Sequence, residues 1–138
     1  MYPEEMVMPM KGELTEVGFQ EMRTPSEVDA VLNSGAEETV LVVLNSVCVC
    51  AAGSMRPAVK MAVQHSKLPT KLTTSFAGFD GEAVAQARKY MLPYPPSSPS
   101  IGLFKNGKLV HMIERHHIEG RTAEMIAENM KMAFDEYC

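Results

Sequence analysis

A three-layer α/β sandwich around a mixed sheet of four or five strands is the fold class this 138-residue sequence predicts. Three observations carry that expectation. The run TVLVVLN (Thr39–Asn45) is β-branched and apolar without alternation, which suits a strand covered by helices on both faces. Twice a strand feeds a helical segment, TVLVVLN into AAGSMRPAVKMAVQH and TKLTTSF into GEAVAQARKYM, so the two strands should be parallel with right-handed crossovers. SIGLFKNGKLVHMI then adds an antiparallel hairpin, because Asn106-Gly107 tolerates the positive φ of a tight turn.

The elements follow in order. Residues 1–10, MYPEEMVMPM, are interrupted by Pro3 and Pro9 and are expected to form a loose tail. GELTEVGFQEM reads as a short helix weakened by Gly12 and Gly18. TPSEVDAVLNSG starts a better one: Thr24 caps, Pro25 suits the first helical position, Glu27 completes a capping box, and Gly35 stops it. After the strand at 39–45, a helix is expected over 50–65 with a kink at Pro57, which lacks an N–H and crowds the preceding turn. A second strand at 71–76 and a helix from 81 or 82 to 91 lead into LPYPPSSPS, whose four prolines forbid a helix. Beyond the hairpin, TAEMIAENMKMAFDEY repeats Met125, Ile126, Met130, Ala133 and Phe134 with helical period. No linker divides the chain, so residues 1–138 are expected as a single domain.

Composition narrows the function classes. A net charge of −4 gives no basic footprint for nucleic acid. The longest clear apolar run, VLVVL, is far short of the ~20 residues that span a bilayer, so no membrane partner is expected. The acidic, proline-broken start lacks the pattern of a secretory signal, and a cytoplasmic location is expected. Twelve methionines are read as core filler.

In a reducing cytosol, closely spaced cysteines are more often catalytic or metal-binding than structural. The stretch NSVCVCAAGSMRP places Cys48 and Cys50 one residue apart at a strand-to-helix junction. Free N–H groups and the helix dipole stabilise a thiolate there, lowering its pKa from about 8.5. Cys48 should lie just outside the helix and attack; Cys50, in the first turn and nearer the core, is the second thiol. A disulfide across one residue closes a very small ring, far from relaxed geometry and readily reduced. Val49, β-branched, resists the distortion such a ring needs. The pair therefore suits exchanging or shuffling disulfides, with Cys48 working largely alone through mixed disulfides. Cys138 reads as an incidental thiol, with resolution of a mixed disulfide as the sharper alternative. Arg56, His65, His111 and the pair His116-His117 read as solvated or unremarkable side chains, the pair as a strand end, and no metal site is assigned.

Strand, cysteine motif, Pro-kinked helix, proline loop and hairpin together resemble the thioredoxin fold, which implies that Pro99 is cis and faces the cysteines. The resemblance also implies that Ser98 offers backbone groups to an extended substrate. More closely, NSVCVCAAGSMRPAV and PPSSPSIGLFKNGKLVHMIERHHIEG are similar to the active-site segment and the cis-proline hairpin of the bacilliredoxin family, and the likeness runs from MYPEEMVMPM to FDEYC. The commonest motif of that family is C-G-C, where this chain carries Val49. The resemblance implies removal of bacillithiol, or a similar small thiol, from mixed disulfides on cytosolic client proteins, with associated disulfide-isomerase activity. It implies no tightly held cofactor, bacillithiol being the thiol substrate. Two rival readings use the same residues: a metal-binding or metal-delivery protein built on Cys48 and Cys50, and a redox-inert interaction module with buried, high-pKa thiols.

Overall fold

A computed structural model of the protein describes residues 1–34 and 37–138. Its sheet has five strands in the order β1-β3-β2-β4-β5, where β1 is Gln20–Glu21, β2 Thr39–Asn45, β3 Lys71–Phe76, β4 Ser100–Lys105 and β5 Lys108–Ile113. β1, β3 and β2 run parallel, whereas β4 is antiparallel to both β2 and β5. The sheet is mixed as expected, and β2 occupies its centre with all seven residues buried.

Alternation along β2 sorts the core into two layers. Val40, Val42 and Leu44 face helices α2 (Pro25–Leu32) and α4 (Gly81–Tyr90), packing with Val28, Leu32, Ala83 and Ala87. Leu41 and Val43 face α3 (Arg56–Ala62) and α6 (Ala123–Tyr137), packing with Val59, Ile126, Met130 and Phe134. Of the helical repeat expected in α6, Met125 points outward and is 56% exposed, while the other four residues are buried.

Several elements differ from the sequence reading. The expected loose tail is a helix, α1 (Glu4–Thr15), which buries Val7, Lys11 and Leu14 against the body. Of the short helix expected over GELTEVGFQEM, the first four residues are helical as the end of α1; α1 ends at Thr15, Gly18 turns the chain at φ 100°, and β1 follows. Lys11 explains why α1 docks: its ammonium reaches Asp80 at 2.9 Å and Glu21 at 2.7 Å from a largely buried position. In α2, Thr24 caps the N–H of Glu27 as expected, while the Glu27 carboxylate reaches back to the N–H of Arg23. Gly35, expected to stop α2, lies outside the described residues.

The helix after β2 begins at Val49 and ends at Ala62 rather than His65. Its irregularity precedes Pro57: residues Ala51–Met55 form a π-helical turn in which the Arg56 N–H bonds to the Ala51 carbonyl five residues back. A wider turn makes room for a proline ring that would otherwise press on the carbonyl four residues earlier. The turn 106–107 has positive φ at both residues, as a hairpin demands. His116 and His117 belong to a short helix, α5 (Arg115–Ile118), and not to a strand end; Glu114 and His117 cap it reciprocally.

Arg56, expected in solvent, is 2% exposed. Its Nε donates to Glu13 of α1 at 2.8 Å, and its Nη1 donates to the Asn45 side-chain oxygen at 3.0 Å and the Ser46 carbonyl at 2.8 Å. Removing Arg56 takes a donor from the buried Asn45 oxygen and Ser46 carbonyl and one cation from the partly exposed Glu13, at a cost of about 3 kcal/mol. Arg56→Ala is therefore expected to lower unfolding stability by about 3 kcal/mol in a urea titration; a loss under about 1 kcal/mol would contradict this role.

Candidate functional site

β2 ends at Asn45, and four residues later the chain is helical, so the segment between must turn while leaving the sheet. A short relay fixes that turn. The Ser46 N–H donates to the Asn45 side-chain oxygen at 2.8 Å, and the Cys48 N–H donates to the Ser46 hydroxyl oxygen at 3.1 Å. Arg56 holds the same Asn45 oxygen from below, and the Asn45 amide donates to the Met10 carbonyl of α1 at 3.1 Å. The N-terminal helix is thus part of the scaffold that presents the cysteines.

Cys48 and Cys50 are free thiols with partly buried side chains, their sulfurs 2.6 Å apart. The Cys50 N–H points at the Cys48 sulfur at 3.4 Å. Val49 between them is 84% exposed and points away from the core. Arg115, at the start of α5, donates from Nη2 to the Cys48 sulfur at 3.2 Å. Its Nη1 donates to the Ser98 carbonyl at 3.2 Å and its Nε to the Glu119 carboxylate at 2.7 Å. The Ser98–Pro99 peptide is cis, as is Leu92–Pro93 in the same loop. Pro99 is buried, directly before β4. Through one guanidinium the loop that carries Ser98 and Pro99 is tied to Cys48.

Electrostatics separates the two thiols. Burial pushes Cys48 up, but the hydrogen bond from the Cys50 thiol, the N–H groups of Cys50 and Ala51 and the Arg115 charge outweigh it, and its pKa falls below the ordinary value. Cys50 is pushed up to about 11, by burial first, then by hydrogen bonding and charge repulsion from Cys48. One sulfur is arranged to carry the negative charge and the other to keep its proton.

The site includes Arg115, which the sequence reading did not single out. It excludes Arg56 from direct contact: that guanidinium is spent on Glu13, Asn45 and Ser46, and acts beneath the turn. Cys138 lies elsewhere. It lines a pocket with Glu38, Thr39 and Lys105 at the opposite end of β2, about 20 Å of strand away from the cysteine pair. It cannot reach a mixed disulfide on Cys48 of the same chain. Among the described residues, the grouping of His, Cys, Asp or Glu tight enough for an ion is Glu114, His116 and His117, without either cysteine of the pair.

Comparison with known proteins agrees with this architecture. Residues 2–138 match the model of a family described as disulphide isomerase. A bacilliredoxin of Cytophaga hutchinsonii is 57% identical over 136 residues, covering 99% of both chains. One of Koribacter versatilis is 53% identical over 138 residues, covering 100% of this chain and 94% of its own. Among solved structures, Fasciola hepatica thioredoxin superposes with a TM-score of 0.57 at 16% identity, covering 84% of this chain and 99% of its own. Aeropyrum pernix thioredoxin gives 0.53 at 15% identity, covering 80% and 84%. These two establish a thioredoxin fold.

The electrostatic asymmetry is directly measurable. Thiolate absorbance against pH should show one thiol titrating below the ordinary cysteine range and another near 11, with the lower step lost in Cys48→Ser. In that variant the Cys50 step should fall yet stay above the ordinary range, because burial remains when its charged neighbour is gone. Two unshifted thiols would contradict the assignment.

Proposed function

Since the chain belongs to the bacilliredoxin family of thiol-disulfide oxidoreductases, we propose that it removes bacillithiol from mixed disulfides on cytosolic client proteins, with Cys48 as the attacking thiolate. The observation that carries this reading is the set of donors on one sulfur: the Cys50 N–H at 3.4 Å and Arg115 Nη2 at 3.2 Å both point at Cys48. The Cys48 thiolate attacks the bacillithiol sulfur of the client mixed disulfide. The old S–S bond breaks, the client leaves as a thiolate and takes a proton from water, and bacillithiol stays on Cys48.

That transfer activates the second thiol. Once Cys48 is in a disulfide it carries no charge, so two of the influences that hold the Cys50 pKa up disappear while Arg115 still pulls it down. Cys50, deprotonated more readily, attacks the Cys48 sulfur, releases bacillithiol as a thiol and leaves a Cys48–Cys50 disulfide. Two electrons from an external thiol reductant restore the pair. A ring closed across one residue is readily reduced, which also suits the site to rearranging client disulfides as an isomerase. No tightly bound cofactor takes part.

Ser98 and Pro99 are proposed to receive the client. The Ser98 carbonyl already accepts from Arg115, and its second lone pair remains for an extended client segment running beside the cis proline. The metal-delivery alternative fits less well: Arg115 places a cation at 3.2 Å from the Cys48 sulfur, where a bound metal ion would meet like charge. A cytoplasmic location accords with the chemistry, and no helix is long and apolar enough to cross a membrane among the described residues.

The test uses a client protein carrying bacillithiol and follows adducts by peptide mass. Cys48→Ser is expected to lower release of the client thiol by at least about 100-fold. Cys50→Ser is expected to take bacillithiol up and retain it on Cys48. A client that stays modified with the unsubstituted protein, or is freed equally well by Cys48→Ser, would overturn the reading.

A further inference from the structure

α5 is a single turn of four residues, too short to hold itself, and it carries Arg115 at its first position. What places that turn also places the guanidinium that donates to the Cys48 sulfur at 3.2 Å. At its far end Ile118 is fully buried and anchors the turn in the core. At its start β5 has just ended, and the next residue, Glu114, is buried. The Glu114 N–H donates to Nδ1 of His117 at 3.1 Å, while the His117 N–H donates to the Glu114 carbonyl at 2.8 Å. Arg115 lies between these two residues, with its own N–H directed at the Ser97 hydroxyl at 3.4 Å.

An imidazole nitrogen that accepts an N–H carries no proton, so a neutral His117 keeps its proton on Nε2. Burial, the largest influence, together with His116, Arg121 and His111, holds the His117 pKa below the ordinary value against the pull of Glu114, which favours that neutral form. The same tautomer argues against an ion here. Glu114, His116 and His117 stand close together, but the ring could ligate a metal only by giving up its bond to the Glu114 N–H or its Nε2 proton.

Resting on the reading of Cys48 as the attacking thiolate, we propose that His117 is a positioning residue for the exchange reaction. Its ring fixes the start of α5, and through Arg115 it sustains the reactivity of a sulfur it does not touch. The other bonds of the guanidinium do not replace this support. Glu119, on Nε, follows α5 directly and moves with it, so only the bonds to Ser98 and Cys48 reach other parts of the chain. The Arg115 side chain is itself 44% exposed, and two bonds on such a side chain hold it only when its backbone is already in place.

The experiment follows alkylation of Cys48 by iodoacetamide near pH 6 in the full-length protein, with the label located by peptide mass. The thiolate displaces iodide, so the rate reads the thiolate fraction. His117→Phe keeps a ring but offers no acceptor, and is expected to slow Cys48 alkylation about threefold. His117→Gln can still accept the Glu114 N–H, as glutamine does in a capping box, and should retain most of the rate. The deciding comparison adds Arg115→Gln to His117→Phe. Once the guanidinium is gone, loss of the ring should slow the reaction no further. In the unsubstituted protein, imidazole nitrogen shifts should show His117 as the Nε2–H tautomer at neutral pH.

Equal slowing by His117→Phe with and without Arg115 overturns the proposal, because the effect would not pass through the guanidinium. An unchanged rate in His117→Phe does the same, as does an Nδ1–H tautomer, a result that relies on no variant's folding. Cys48 reacting no faster than Cys50 in the unsubstituted protein would instead overturn the underlying assignment of Cys48, and the proposal with it.

Discussion

Burial of β2 on both faces and both edges is the constraint from which the rest of the structure follows. Its seven residues are shared between two helical layers and hydrogen-bonded to β3 on one side and β4 on the other. A strand so enclosed is open at its ends, and at its carboxyl end backbone groups lose their sheet partners and the chain must leave. Here that end is closed by Asn45, Ser46 and Arg56, and the cysteines follow directly. The chemistry therefore sits at the point where the sheet cannot satisfy itself.

Two arginines divide the electrostatic work. Arg56 is buried and bound through Nε and Nη1, and its ion pair with Glu13 ties α1 to the turn below the thiols. Arg115 is half-exposed and engages the Cys48 sulfur itself. A buried guanidinium with three protein partners gives rigidity, whereas an accessible one can exchange a partner during a reaction. The difference in burial is what makes the first a structural support and the second a candidate participant.

Much of this was legible in the sequence, and the omissions have physical causes. β2, β3 and the Asn106-Gly107 hairpin announce themselves through local composition, because burial and turn geometry act on neighbouring residues. The pairing of Cys48 with Cys50 is likewise local. α1 was missed because Pro9 and Gly12 weaken its intrinsic helicity; it is held by contacts to residues far along the chain, such as Lys11 with Asp80. β1 has two residues, too few to carry a pattern. Arg115 stands 67 residues from Cys48, and no local signal distinguishes it from a solvated arginine. Arg56 was misread for the same reason: a charged side chain is expected in water until its buried partners are known.

The central claim is that one sulfur of three is held as the reactive thiolate. It is tested most directly by treating the reduced protein with a limiting amount of iodoacetamide near pH 6 and locating the label by peptide mass. Cys48 is expected to be modified first, ahead of Cys50 and Cys138 by at least about tenfold, since the thiolate is the reacting form. Equal labelling of the three, or preferential labelling of Cys50 or Cys138, would contradict it.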